Sequence, residues 1–355
     1  MRWTLEAKSG WEGAVSCKQL LGGLIAAMSV CCGALADPVA DFYKGRTVSI
    51  IVSSPAGGGY DTLARTVARH LPQHIPGNPS IVVQNMPGAG GIVATNHVYA
   101  NAARDGTVIG APNNNVPFEP LFGTPQVKFD PKRLQWLGTP SVEVGMLTIW
   151  HATPVMTWQE ARTRELTMGA SGANSTPSFY ARLLNETLGL KLKIITGFRG
   201  QGEAFLAMQR GELDGYSSVF WSALKATKPD WIRDKQVKLL VQFGLEAEKE
   251  IAQVPFILDL VTDPQDRLLV QAACAPLAAG RPYMLPPDVP AERVAALRSA
   301  MMETFKDAAF VADATKTGLD VRSPRSGDEL AALIDRIYRE TSPVLVERLR
   351  KLNNP

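Results

Sequence analysis

The sequence predicts an α/β protein built as two lobes with a cleft between them. Three observations lead there. Short β-branched runs alternate with helical stretches from residue 47 to residue 243. Glycine-rich turns repeatedly join the end of a run to the start of a helix. The length of 355 residues suits two domains at roughly 100–200 residues each. Such alternation implies mostly parallel sheets with helices on both faces. A chain that is 45% apolar and 20% charged has a core to bury, which excludes disorder and a coiled-coil rod. The net charge of +3 is too balanced for a dedicated nucleic-acid binder, so no nucleic-acid partner is expected. A mean hydropathy of −0.03 excludes a polytopic membrane protein.

Residues 1–36 read as a signal peptide. Arg2, Lys8 and Lys18 precede an apolar run from Leu20 to Leu35, short for a membrane span of about 20 residues. The run ends in Ala34-Leu35-Ala36, a small-x-small cleavage pattern. Cleavage after Ala36 and a periplasmic location are expected; the competing reading is an uncleaved membrane anchor. Cys17, Cys31 and Cys32 fall in this leader, so Cys274 is left without an intrachain disulfide partner.

The first lobe is assigned residues 37–139 and 246–355. Thr47–Val52 is a β-branched strand followed by Gly57-Gly58-Gly59. Leu63, Ala64, Val67, Ala68 and Leu71 then recur at helical spacing, up to Pro72. Ile81-Val82-Val83 is a short strand closed by Pro87-Gly88-Ala89-Gly90-Gly91, and Thr107–Gly110 is a third. The second lobe is assigned residues 140–245. There Thr157-Trp158-Gln159-Glu160 reads as a capping box opening a helix. Leu166–Gly169 is a strand, Pro177–Leu188 a helix with Gly189 as its C-cap, and Lys191–Thr196 a strand. A helix over 201–210 and strands at Asp214–Ser218 and Val237–Phe243 complete it. In the tail, a helix from Pro290 puts Val294, Leu297, Met301 and Phe305 on one face. Ser326–Glu329 is a second capping box, with Leu330, Leu333, Ile334 and Ile337 on the buried side.

The residues offer little catalytic chemistry, and no enzyme activity or cofactor is expected. His70 and His74 stand four apart, but Pro72 between them ends the helix, which argues against a metal site. No nucleophile elbow, phosphate loop or zinc-protease motif occurs. Cys274 between alanines reads as a small buried residue. The informative feature is the set of turns Ser54–Asp61, Asn85–Gly91 and Ser171–Thr176. Glycine lets the backbone approach a ligand, in part by adopting positive φ. A helix N-terminus then favours an anion, and ligands of open parallel sheets bind at the carboxyl ends of the strands. Three such turns on two lobes read as an anion clamp; the competing reading is that each only shapes its strand-to-helix connection. Asp61 has two readings, a helix cap or an acceptor for the ligand. Arg199 has two as well, a partner for a carboxylate or a solvated surface side chain.

These turns carry a family resemblance. Pro55-Ala56-Gly57-Gly58-Gly59-Tyr60-Asp61, Asn85–Gly91, Asp105-Gly106-Thr107, Gly169–Thr176, Gly197–Gly200 with Gly211–Asp214, and Pro286–Leu297 follow in order. Together they resemble the Bug family, the substrate-binding proteins of tripartite tricarboxylate transporters. Asp288, the Asn113-Asn114-Asn115 run, Asn174, Pro177 and the long Pro264–Pro286 stretch depart from the family pattern. The resemblance implies a type II periplasmic binding protein fold, two lobes joined by two crossovers, closing on a small organic carboxylate. It implies delivery to a two-component membrane permease by a monomer. A ligand sensor for a membrane kinase and a secreted enzyme are the competing functions. The turns and the resemblance nominate Ser54, Ala56, Gly57, Gly58, Gly59, Tyr60, Asp61, Gly88, Ala89 and Gly90 as ligand-binding. They also nominate Asn113, Asn114, Ser171, Gly172, Ala173, Asn174, Ser175, Thr176, Arg199 and Ser218. Phe220 and Trp221 are candidates for an aromatic wall, and hinges are expected near 139–147 and 240–250.

N-terminal sequencing of the exported protein should read from Asp37. Recovery of residues preceding Leu35 in that material would remove the cleavage assignment.

Overall fold

A computed structural model describes residues 3–4 and 37–354. The expected leader, its cleavage site and Cys17, Cys31 and Cys32 lie outside the described residues. From Pro38 onward the chain forms a short helix and then β1 (Thr47–Val52), β2 (Ser80–Asn85), β3 (Val108–Ala111) and β4 (Gln135–Thr139). It crosses over into β5 (Gly145–Trp150), β6 (Leu166–Gly169), β7 (Leu192–Ile195), β8 (Gly215–Phe220) and β9 (Val237–Phe243). It then returns as β10 (Tyr283–Leu285) and β11 (Arg325–Ser326). The strand orders are β11-β4-β10-β3-β1-β2 in one sheet and β7-β6-β8-β5-β9 in the other.

Each sheet has a parallel part and an antiparallel part. β2, β1 and β3 run parallel, as do β7, β6 and β8. β10 enters antiparallel between β3 and β4, and β5 enters antiparallel between β8 and β9. The physical reason for the parallel part is legible in β1. Val48, Ile50, Ile51 and Val52 are all buried, the pattern of a strand covered on both faces. The three glycine-rich turns follow β1, β2 and β6, at strand ends that point into helices.

The tail supplies the packing between the sheets. Helix Pro264–Ala279 starts with Asp263 accepting from the N–H groups of Gln265 and Asp266, and most of its last two turns is buried. Its Cys274 is fully buried, and burial pushes the thiol up. One apolar cluster joins this helix to Ile92, Phe118 and Trp136 near the first sheet and to Met168, Leu184 and Phe243 near the second. The Ser326 capping box forms as the sequence implies, over helix Gly327–Glu340. The helix expected after Thr157 does not form beyond one 3-10 turn, Glu160–Arg162. Glu160 accepts from the N–H of Met156 rather than from that of Thr157, and β6 begins at Leu166. Pro343 opens the final helix, Pro343–Asn353, and in that first turn its missing N–H costs nothing.

A charge network ties the crossover after β9 to both halves of the molecule. Glu250 accepts from Trp221 Nε1 at 2.7 Å, Lys225 Nζ at 2.5 Å and Arg322 Nη1 at 2.7 Å. Those hydrogen bonds, Lys225's first, hold its carboxyl down at about 2 against an ordinary value of 4.5. A depressed folded-state value means that the contribution is present above about 4.5 and is lost as pH falls toward about 2. The melting-temperature gap between the protein and its Glu250→Gln variant should therefore be widest above pH 4.5 and close toward pH 2. A gap independent of pH would show that the charge on Glu250 contributes nothing.

Candidate functional site

A cavity of about 410 Å³ lies between the two sheets. Tyr60, Gly90 and Asn113–Asn115 face it from the first sheet's turns. Asn174, Thr176, Phe179, Tyr180 and Phe220 face it from the second sheet's side. Ala273, Pro276 and Leu277 of the Pro264–Ala279 helix and Asn353 of the last helix complete the wall, with Glu119 and Phe122. Six of the nominated residues thus line one space: Tyr60, Gly90, Asn113, Asn114, Asn174 and Thr176.

The turn after β1 is held by Asp61. Its carboxylate, 3% exposed, accepts from Gly57 N at 2.8 Å, Arg65 Nε at 3.0 Å and Asn85 Nδ2 at 2.9 Å. Burial pushes its pKa up, but the bonds from Arg65, Gly57 and Asn85 outweigh burial and hold it below the usual value. Asn85 also donates to the Ser54 carbonyl at 3.0 Å, so the ends of β1 and β2 are locked together. Asp61 therefore spends its oxygens on its own turn, on Arg65 in the same helix and on the end of β2, and caps no helix N–H. Gly57 takes positive φ, +84°, whereas Gly58 is extended at φ −80°. Positive φ is expected at Gly58 and Gly90; it is found at Gly90 but not at Gly58, whose added Cβ would meet only Pro55 O at 3.7 Å.

The turn after β2 is tighter. Gly88, Ala89, Gly90 and Gly91 all have positive φ; the Gly91 N–H closes the turn on the Gly88 carbonyl at 3.0 Å, and Gly90 is the one of the four that lines the cavity. Gly91 is required on a second count: a Cβ there would stand 3.0 Å from both Ser53 Oγ and Val116 Cγ2. Asn113 secures the turn from β3, accepting from Ser53 Oγ at 3.0 Å and donating to the Gly90 carbonyl at 3.0 Å.

Two donors remain aimed at the space. The Asn114 N–H donates to Tyr60 Oη at 3.1 Å, which leaves the phenol's own proton for another acceptor. Burial pushes the Tyr60 phenol above its ordinary value, so it keeps that proton. Thr176 opens the helix Thr176–Leu188, whose first-turn N–H groups have no intrahelical partner. Behind Tyr60, the Arg281 guanidinium stands 5.9 Å from its ring and 3.7 Å from buried Glu143. Ser222 donates to Glu143 at 2.6 Å, and burial pushes the Glu143 carboxyl up despite Arg281 and Ser222.

Other nominated residues sit elsewhere. Ser54, Ala56, Gly57, Gly58, Gly59, Gly88 and Ala89 build the turns without lining the cavity. Ser171, Gly172, Ala173 and Ser175 do the same on the second side, where the Ser175 and Ser178 hydroxyls both donate to the Gly172 carbonyl. Arg199 pairs with Glu203 with its side chain 91% exposed, the solvated reading. Ser218 is buried in β8. Trp221 is turned away to Glu250, so Phe220 alone of that pair faces the cavity. Phe179 and Tyr180 follow Thr176 at helical spacing, a signal present in the sequence but overshadowed there by the loop before it. Glu119, Pro276 and Asn353 carry no local signal at all, since only the fold brings them there. A larger groove of about 900 Å³ opens at the crossovers. It is lined by ion-paired groups such as Arg322, Glu250 and Asp320, and no glycine-rich turn reaches it.

Comparison with known proteins follows the same lines. The chain matches the family described as the tripartite tricarboxylate transporter family receptor over residues 63–348. It is 40% identical over 84 residues to the protein BugT of Bordetella pertussis, 23% of this chain and 25% of that one; the match thus spans a quarter of that relative. A TctC solute binding protein from Polaromonas, solved with no ligand, superposes with a TM-score of 0.68 at 19% identity over 88% of this chain and 99% of its own. MatC from Rhodopseudomonas palustris, solved with bound malate, does so with a TM-score of 0.56 at 21% identity over 87% and 99%. These superpositions show the fold of a periplasmic binding protein.

Asp61→Ala would leave Arg65, Asn85 and the Gly57 N–H without their acceptor. A loss of about 1–3 kcal/mol is expected from an unmade buried bond, read as a lower melting temperature. An unchanged melting temperature would show that the turn holds without it.

Proposed function

The chain belongs to the tripartite tricarboxylate transporter receptor family, and we propose that it captures a small organic carboxylate in the cavity between its sheets. In this reading it is a periplasmic protein that delivers the ligand to a tripartite tricarboxylate-type membrane permease. The observation that carries the reading is the convergence on one cavity of Gly90 from the positive-φ turn, the Tyr60 hydroxyl and Thr176 at the start of its helix. Fixed N–H dipoles bind an anion without the desolvation cost of burying a second charge. The carboxylate that lines the cavity, Glu119, has both oxygens engaged by Asn115 and Thr124, which suits capture and release. Because donors stand on both sides of the cavity, closure would turn on the crossovers at 140–144 and 244–256.

A thermal-shift screen over carboxylic acids tests the reading. At a hundredfold excess over its dissociation constant, a true ligand should add about 2.7 kcal/mol of stability. Tyr60→Phe, which removes the free phenol proton, should weaken that ligand several-fold in titration calorimetry. If no carboxylate in the screen raises the melting temperature, the cavity is not a carboxylate site.

A further inference from the structure

The wall of the cavity is mixed. Polar groups of Tyr60, Asn114, Asn174, Thr176 and Asn353 line it together with the rings of Phe122, Phe179 and Phe220. Phe122 and Phe179 meet edge to face at 5.7 Å, so the rings are braced against each other. Among the described residues, no Lys, Arg or His lines this space, and its one ionisable acid is Glu119. Both Glu119 oxygens accept hydrogen bonds, one from Asn115 Nδ2 and one from Thr124 Oγ1. That pair of donors orients the carboxylate and leaves it an acceptor.

We propose that this cavity selects a monocarboxylate with an aromatic or branched apolar body, and that Glu119 is a specificity residue that turns away a second carboxylate. The inference rests on the reading of the cavity as the ligand site. One anionic group is satisfied by the N–H and hydroxyl donors. A second would have to share the space with the Glu119 carboxylate, a like charge, which is costly. An apolar body would instead cover the phenylalanine rings and gain from leaving water. Selection of this kind works by penalising the wrong ligand as much as by fitting the right one.

Titration calorimetry on the exported protein tests this with benzoate, phenylacetate and 4-methylpentanoate against malate, adipate and citrate. The best monocarboxylate should bind at least tenfold tighter than any of the second set. A di- or tricarboxylate that binds as tightly overturns the inference while leaving carboxylate capture intact; silence from both sets overturns capture itself. Glu119→Gln should narrow the ratio between the two sets at least tenfold by strengthening the dicarboxylates. An unchanged ratio removes Glu119 from the role. Phe220→Ala, which leaves the Glu119 bonds alone, should weaken the monocarboxylates several-fold; no weakening would mean that the rings do not hold the ligand body.

Discussion

A three-residue strand holds the architecture together. β10, Tyr283–Leu285, is buried along its whole length between β3 and β4. Without it both neighbours would present unpaired backbone edges. Its insertion requires that the chain leave the first sheet, build the second and come back, which makes two crossovers unavoidable. Gly110 of β3 records how close the fit is, since a Cβ there would come within 2.7 Å of Met284 Cε. The return also draws the Pro264–Ala279 helix between the sheets, where its far end becomes a wall of the cavity.

The parallel halves are legible in the sequence because each rests on local signals. β-branched runs, turn glycines and helical spacing lie within a few residues of one another at β1, β2 and β6. β5 and β10 are not legible, because an antiparallel strand in mid-sheet is specified by neighbours far away in the chain. The Pro264–Ala279 helix escapes notice for a similar reason: Pro276 breaks its local pattern, and its burial comes from both sheets at once. The site follows the same division. The turns that build it can be read, but the side chains that face it come from segments scattered between Tyr60 and Asn353, and several glycines named for the ligand serve the turn itself. Asp61 shows the difference well, as a carboxylate whose bonds go to its own loop, to Arg65 of its own helix and to the neighbouring strand end.

The two halves are joined by bonds of unequal character. At the crossovers the ties are ion pairs of Glu250, Arg322, Lys225 and Asp320 that remain partly in water, and such pairs individually contribute little. Deeper in, the tie is the apolar cluster that runs without a break from one sheet to the other. Any movement that admits a ligand must leave most of that cluster packed and part the walls where polar contacts dominate.

The last helix is one of those walls. Leu345, Leu349 and Leu352 bury its apolar side, Arg182 donates to the Leu352 carbonyl at 2.7 Å across 170 residues of chain, and Asn353 reaches the cavity. A chamber closed by residues 343–353 cannot be assembled before those residues have been made. The second sheet has all its strands by Phe243 and the first by Ser326, yet their shared cavity stays open until residues 343–353 arrive. Such long-range closure is slow, so this architecture places its period of greatest exposure to aggregation and to helper proteins just before the binding chamber exists.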